Sequence, residues 1–129
     1  MLKRVLAVAV FAIMSLQAES KVYELRTYVS KDGKFENVLA RFRNHTAKLF
    51  EKHGMENIGY WVAADAPAST NTLIYVLGHK DREAAKASWD AFRKDPEWVK
   101  AKSESEASGP IVDTVTSVFM NPTDFSKLK

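Results

Sequence analysis

The sequence predicts an α+β fold in which a four-stranded sheet carries helices on one face. Three patterns indicate it: strict alternation over residues 22–29, apolar residues at helical spacing over 34–53, and a doubly capped helical stretch over 81–105. Further strands are predicted at 57–63, 72–79 and 111–120. The resulting order, β-α-β-β-α-β, is the split βαβ arrangement of ferredoxin-like domains.

The first strand, VYELRTYV, presents two different faces. Alternation places Leu25 on one face and places Glu24, Arg26 and Tyr28 on the other. The sequence Ser-Lys-Asp-Gly at 30–33 is typical of a turn, so the strand ends there. One sheet face therefore receives two charged side chains and an aromatic ring.

The helix predicted after this turn has one apolar stripe and ends at Gly54. The stripe includes Val38, Phe42 and Leu49, and His45 falls on the same side of the helix. A titratable side chain at such a position is either a hydrogen-bonded core histidine or a residue that lines a cavity. Both interpretations of His45 stay open.

The second half of the chain contains clear signals for helix N-caps. The second and third strands are joined by the loop ADAPAST and are expected to form a hairpin. Asp81 is a typical N-cap for a helix over 82–93. The sequence Asp-Pro-Glu at 95–97 is a second cap, so a separate short helix is predicted from Pro96 to about Ser105.

The N-terminal residues have the pattern of a secretory signal. Lys3 and Arg4 precede the apolar run 5–16, which is shorter than the roughly 20 apolar residues that span a bilayer. Small residues follow at Ala18 and Ser20, as signal peptidase requires. We therefore predict a signal peptide that is cleaved after Ser20 and directs export to the periplasm or the extracellular space. The alternative is an uncleaved anchor.

The remaining residues, 21–129, are long enough for one domain with a core and too short for two. The whole sequence has a net charge of +3 with basic and acidic residues intermixed, so no nucleic-acid-binding surface is indicated. Cysteine is absent, which excludes disulfides, thiol chemistry and cysteine-ligated metals. After cleavage, no stable insertion into a membrane is expected.

Both faces of the predicted sheet are apolar or aromatic. Trp61 alternates with Tyr60 and Val62, and Ile74 alternates with Tyr75. A sheet face this rich in aromatic residues is expected to be covered. We therefore expect a homodimer in which two subunits pack sheet to sheet as a dimeric α+β barrel.

Several stretches of the sequence resemble the NIPSNAP family, which lies within the dimeric α+β barrel superfamily. They are YELRTY at 23–28, RFRNHTAKLFEKHGMENIGYW at 41–61, LIYVLGHKDREAAKASWDAFRKDPEW at 73–98, SEASG at 105–109 and NPTDF at 121–125. The resemblance implies a ferredoxin-like protomer that pairs sheet to sheet, and it supplies no catalytic residues. Members in animal mitochondria are described as adaptor or signalling proteins. The wider superfamily includes cofactor-free oxygenases, haem-degrading enzymes and isomerases.

A small pocket is the strongest candidate for a functional site. The residues predicted to line it are Arg26, Tyr28, His45, Trp61, Tyr75 and His79, with Trp89 as a further candidate. Aromatic walls with few polar groups are typical of small-molecule sites. In this interpretation Arg26 holds a carboxylate through two hydrogen bonds, and His45 or His79 moves a proton.

Each candidate also has a structural interpretation. Arg26 can instead pair with Glu24 on the same strand face, and His79 ends a strand, where it would be a turn or helix-entry residue. The helical spacing of three aromatic residues, Trp89, Phe92 and Trp98, is more often that of core positions than of a cofactor site, so we expect them in the core. Three charged residues of the first helix are expected to be structural or solvated, namely His53 at its C-terminus and Arg41 and Arg43 on its surface.

No cofactor is predicted. A metal held by His45 and His79, or haem held by one histidine, has no supporting motif in the sequence. Two functions remain: a binding or adaptor module with an aromatic-lined pocket, or a cofactor-free oxygenase or isomerase that acts on a small apolar or aromatic acid. The second function would use Arg26, Tyr28, His45 and Tyr75. We favour the first, because no acid and base pair is recognisable.

Overall fold

In the computed structural model, which describes residues 21–129, four strands form one antiparallel sheet. The strands are β1 (Val22–Ser30), β2 (Glu56–Val62), β3 (Thr72–His79) and β4 (Val112–Met120). Their order in the sheet is β2-β3-β1-β4, with β2 and β3 paired as a hairpin. The predicted ferredoxin-like fold is therefore confirmed. The predicted signal peptide, residues 1–20, lies outside the described residues.

The helices pack on one face of this sheet in two groups. The first group is a continuous run of α1 (Phe35–Arg41), a π-helical segment (Phe42–Thr46) and α2 (Ala47–Lys52). The second group is α3 (Arg82–Lys94) and α4 (Pro96–Ser105), and a 3-10 turn (Ala68–Thr70) lies in the loop between β2 and β3. Within residues 21–129, no helix has the length and apolar character that crossing a membrane requires.

Both predicted helix caps are present. The Asp81 carboxylate accepts a hydrogen bond of 2.7 Å from the backbone nitrogen of Ala84, and the Asp95 carboxylate accepts one of 2.9 Å from that of Glu97. Asp95 also lies 2.7 Å from Nε2 of His53, just beyond the end of α2. The second cap therefore joins the end of α2 to the start of α4.

The π-helical segment changes which residues of the first helical run are buried. A π-turn closes with i→i+5 hydrogen bonds and so contains one residue more than an α-turn. After Phe42 the next buried residue is Thr46, and Thr46 is only 1% exposed. His45 is exposed. The prediction that His45 shares the stripe of Val38, Phe42 and Leu49 is therefore wrong, because that prediction assumed a regular α-helix throughout.

An aromatic core fills the space between the sheet and the helices. Phe50 of α2 is completely buried, with its ring centroid 5.8 Å from that of Tyr75 and 5.3 Å from that of Trp89. Trp89 and Phe92 of α3 are also buried, as predicted. Burial of one such phenylalanine side chain stabilises a fold by roughly 1.5–3 kcal/mol. The cluster thus fixes α2 and α3 on the sheet.

The opposite face of the sheet carries no helix. Trp61 pairs with Ile74 across β2 and β3 and lies on this open face, away from the helices. Trp61 and Val118 are 54% and 55% exposed. The C-terminal residues 121–128 partly cover the face, where they help to enclose an apolar cavity of about 330 Å³ beside Tyr23.

Candidate functional site

The helix-side face of β1 carries a buried polar network centred on Glu24, which is 1% exposed. Its Oε1 accepts hydrogen bonds from Nε2 of His79 at 2.9 Å and from Nε1 of Trp89 at 2.8 Å. Its Oε2 accepts hydrogen bonds from Oγ of Ser117 at 2.7 Å and from Nη1 of Arg26 at 2.9 Å. Four donors from four elements therefore converge on one carboxylate.

Arg26 joins this network to the aromatic core. Its Nε donates a hydrogen bond of 2.9 Å to the hydroxyl of Tyr75, and its guanidinium carbon lies 4.2 Å from the centroid of the Trp89 ring. The ion pair with Glu24, weighed above as the structural interpretation of Arg26, is present. Two donors of Arg26 are thus used inside the protein, which leaves it poorly suited to grip a ligand carboxylate at two points.

The surroundings of Glu24, Tyr75 and Arg26 fix the ionisation states of these three groups. Burial alone would raise the pKa of Glu24, but the hydrogen bonds from His79, Ser117, Trp89 and Arg26 outweigh it and lower the pKa to about 2. Burial raises the pKa of Tyr75 well above its ordinary value. Burial would likewise lower the pKa of Arg26, yet its neighbours raise it above its ordinary value. None of these three groups changes charge near neutral pH.

A cavity of about 370 Å³ adjoins the network between the sheet and α3 and α4; we call it the helix-side cavity. Its aromatic and aliphatic lining consists of Tyr28, Trp89, Phe92, Trp98, Val112 and Val115. Its charged lining consists of Arg26, Arg41, Arg93, Lys102 and Glu106. Four of these charged groups are cations, so the cavity combines aromatic walls with a positive potential.

Arg41 is the buried cation of this cavity, with a side chain that is 4% exposed. Its Nη1 donates a hydrogen bond of 3.2 Å to Oγ of Ser105 and lies 3.6 Å from Oε1 of Glu106. Its guanidinium carbon lies 5.0 Å from the Trp98 ring centroid. Within residues 21–129, its Nε has no hydrogen-bond partner. The expectation that Arg41 is solvated was wrong, because the last turn of α1 faces α4.

Burial also weakens the charged state of Arg41. It lowers the pKa of the guanidinium group below its ordinary value, and Glu106 only partly offsets the effect. A buried cation with an unpaired donor costs free energy unless a partner is supplied. Arg41 is therefore the lining residue whose buried charge is least completely paired, and an anion in the cavity would complete the pairing.

The predicted pocket residues fall into three groups. Arg26 and Tyr28 line the helix-side cavity. Tyr75 lies behind Arg26 without exposed surface, and His79 is 2% exposed at the far side of Glu24. Trp61 lies on the open face of the sheet and His45 on the exposed surface of the π-helical segment. The six residues therefore do not form one pocket.

His79 is a core residue and not the turn residue that its position at a strand end suggested. Because the Glu24 carboxylate can only accept, Nε2 of His79 carries the hydrogen in their contact. Its Nδ1 is buried and has no hydrogen-bond partner within residues 21–129. The residue terminates the network on the side opposite Ser117.

The sequence interpretation missed Arg41 and the charged wall that α4 contributes. A signal for that wall was present, since Trp98, Lys102 and Glu106 recur every four residues and so share one helix face. Arg41 lies three residues after Val38, which is the same kind of signal. Spacing alone does not show that the facing surface is a cavity, so these residues were indistinguishable from solvated ones.

The described residues offer no evident metal site. No group of three or more His, Asp or Glu side chains within 21–129 is placed to hold a metal ion. The two histidines considered for this role are separated by environment, since His79 is buried on the sheet and His45 is exposed. The prediction that the protein uses no cofactor stays a prediction.

Solved structures with the same fold come from several bacteria. A NIPSNAP family protein of unknown function from Agrobacterium tumefaciens is 20% identical, covers 86% of this chain and 96% of its own, and has a TM-score of 0.73. An uncharacterised NIPSNAP-like domain protein from Burkholderia xenovorans is 18% identical, with coverage of 84% and 90% and a TM-score of 0.71. At such identities these matches show the fold alone.

A more distant match is a monooxygenase from Streptomyces coelicolor, the product of the gene ActVA-Orf6, in complex with the ligand nanaomycin D. It is 11% identical, covers 81% of this chain and 89% of its own, and has a TM-score of 0.57. A search of curated proteins found no match. The sequence model of the NIPSNAP family matches residues 23–127, which is nearly all of the described domain. This chain therefore belongs to the NIPSNAP family.

Proposed function

We propose that this domain is a binding module that takes up a small aromatic molecule in the helix-side cavity. The observation that carries the proposal is the cavity itself. Its volume of about 370 Å³ lies within the range of small-molecule sites, roughly 300–1,000 Å³. Four aromatic side chains and several convergent polar groups line it, as in such sites.

Two buried acidic groups beside the cavity, Glu24 and Tyr75, are poorly suited to moving a proton at neutral pH. General acid and base catalysis at neutral pH requires a group whose pKa lies near 7. Glu24 has a pKa of about 2, and the pKa of Tyr75 is raised well above its ordinary value. Groups that keep one ionisation state are suited to holding a ligand in a constant electrostatic environment.

Native mass spectrometry of protein purified from its own compartment tests the proposal. We expect the wild-type chain to carry the added mass of a small molecule. Val115→Trp places an indole in the cavity, so that variant should lose the added mass. Val99→Trp, on the exposed surface of α4, is the matched control and should keep it. Added mass retained by Val115→Trp would place the ligand elsewhere, and a wild-type chain without added mass would favour a protein adaptor.

Catalysis of the cofactor-free monooxygenase type is the second candidate. It is supported by the Streptomyces coelicolor monooxygenase, whose fold this chain shares and which is complexed with nanaomycin D. Of the residues named for such a reaction, Arg26, Tyr28 and Tyr75 lie at or beside the cavity, and His45 does not. An oxygen atom added to the bound molecule during aerobic incubation would support this candidate. An unchanged ligand mass would contradict it and support the binding module instead.

We also propose that the domain acts after export. The support is the basic and apolar pattern of residues 1–20. Intact-mass analysis of the periplasmic or extracellular fraction should find a chain that begins at Lys21. Recovery of a chain with its N-terminal residues intact in the cytosolic fraction alone would contradict it.

A further inference from the structure

We infer that the ligand of the helix-side cavity is an aromatic carboxylate and that Arg41 holds its carboxylate group. This inference rests on the proposed binding function and names the chemical class of the ligand. It is carried by the contacts of Arg41, by the charges of the cavity lining and by the positions of the aromatic rings.

The hydrogen-bond donors of Arg41 are incompletely paired. Its side chain is 4% exposed and has a hydrogen bond to Ser105, a longer contact to Glu106 and an Nε without a partner within residues 21–129. A guanidinium group has five N–H donors in a fixed plane that matches a carboxylate. A ligand carboxylate in the cavity would supply the acceptors that the protein does not.

Arg41 differs from Arg26 in how its charge is balanced. Arg26 already donates to Glu24 and to Tyr75, and the Glu24 carboxylate balances its charge inside the protein. Glu106, the partner of Arg41, is at 3.6 Å and is itself 26% exposed. The charge of Arg41 is therefore less completely matched, and the anchor predicted at Arg26 moves to Arg41.

The charges that line the cavity favour a ligand with a single negative charge. Arg93 and Lys102 add two exposed cations to the cavity lining, which favours an anion. Glu106 lies in the same lining and would repel a second negative charge close to Arg41. A singly charged carboxylate fits this arrangement better than a dianionic phosphate.

The aromatic side chains of the cavity suit a planar ring on the rest of the ligand. Trp98 lies beside Arg41, and its ring centroid is 4.7 Å from that of Phe92. Trp89 forms the neighbouring wall beneath Arg26. Aromatic pairs prefer ring centroids that are about 4.5–7 Å apart, so a planar ring placed among these side chains would gain such contacts.

Isothermal titration calorimetry with 1-naphthoate and with the uncharged 1-naphthamide tests the inference. The two probes share one ring system and differ in the acid group. We expect the wild-type protein to bind 1-naphthoate at least about tenfold more tightly, because a charge-assisted hydrogen bond is lost in the amide. Arg41→Gln should reduce this preference to near unity. Arg43→Gln, an exposed residue of the adjacent π-helical segment, is the matched control and should retain it.

A second measurement uses the wild-type protein and so tests the inference even if Arg41→Gln fails to fold. In the wild-type protein, NMR of arginine side chains should show a shift of the Arg41 Nε–H resonance on addition of 1-naphthoate and a smaller shift with 1-naphthamide. Arg41→Lys keeps the charge and loses the planar group, so it should retain only part of the preference.

The outcomes separate this inference from the proposed function. Equal affinity for the two probes, or a preference that survives in Arg41→Gln, overturns the assignment of a carboxylate and leaves the binding function intact. A wild-type protein that binds neither probe also overturns the assignment. In that case the mass-spectrometry experiment above decides separately whether the cavity binds a small molecule of another class.

Discussion

Within residues 21–129, Glu24 is the side chain that accepts the most hydrogen bonds, and we expect its negative charge to dominate its contribution to stability. Four donors converge on it, and one of them is the charged group of Arg26. Removing one partner of a buried ion pair leaves the other charge unpaired and costs about 3–5 kcal/mol. The network is therefore expected to stabilise the fold and to hold Arg26 and Trp89 in place in the wall of the cavity.

Glu24→Gln keeps the size of the side chain and removes its charge. We expect the free energy of unfolding to fall by about 3 kcal/mol, measured by urea denaturation. The amide nitrogen of glutamine would also face a group that donates. Ser117→Ala removes one neutral donor and serves as the control, with an expected loss of about 1 kcal/mol. Equal effects of the two changes would contradict the central role of the charge.

The pKa of Glu24 gives a pH dependence with a definite sign. Its value in the folded protein, about 2, is lower than its ordinary value of 4.5. The stability that ionised Glu24 contributes is thus complete above about pH 4.5 and is lost as the pH falls toward 2. Urea denaturation at a series of pH values should show wild type and Glu24→Gln converging over this interval. A difference that stays constant down to pH 2 would refute the assignment.

The sequence predicted where the first helical run begins and ends, but not which of its residues are buried after the π-helical segment. A helix over 34–53 was expected, and α1, the segment and α2 together span Phe35–Lys52. The extra residue of the π-turn buries Thr46 in place of His45. The i→i+5 pattern depends on how both ends of the run pack on the sheet, and a stripe counted at regular helical spacing does not contain that information.

Deleting Asn44, an exposed residue of this segment, should convert the π-turn to a regular α-turn. At 100° per residue, Val38, Phe42, Thr46 and Phe50 then fall within one narrow stripe. We expect the variant to fold, with an unfolding free energy within about 1 kcal/mol of wild type.

Deleting Lys86 is the control for this experiment. It is an exposed residue of α3, a regular helix without an extra residue to absorb the change. The deletion rotates Ala85 by about 100° relative to Trp89 and Phe92, so a large loss of stability is expected. Circular dichroism and urea denaturation of both variants make the comparison. Equal loss in the two deletions would contradict the interpretation of the π-turn.

The two faces of the sheet differ in character. The helix-side face carries the charged network and the cavity, whereas the open face is apolar and exposes Trp61 and Val118. Exposed apolar surface of this kind is typical of a protein interface. We propose that two copies of the domain pack through the open face, as the resemblance to dimeric barrels implies.

Val118→Lys tests the proposed dimer. Light scattering coupled to size exclusion should give twice the chain mass for the wild-type protein at micromolar concentration and the single chain mass for this variant. Val99→Lys is a closely matched control, because Val99 and Val118 are both 55% exposed while Val99 lies on α4. A monomeric wild type, or a dimer that survives Val118→Lys, would overturn the proposed interface.

Local sequence determined much of this protein. The order of strands and helices, the caps at Asp81 and Asp95, and the stop at Gly54 follow from periodicity and cap chemistry, which act within a few residues. The proximity of Glu24 and Arg26 was also predictable, since residues two apart on a strand share a face. The NIPSNAP resemblance rested on such stretches, and the family match confirms it.

Only the tertiary structure decided the site. It buried Arg41 between α1 and α4, turned His45 outward, drew His79 into the network and placed Trp61 on the other face of the sheet. Each outcome depends on contacts between residues far apart in sequence. A pattern of residue types specifies which side of an element is apolar, but the packing of neighbouring elements decides which polar groups are enclosed and which remain unpaired.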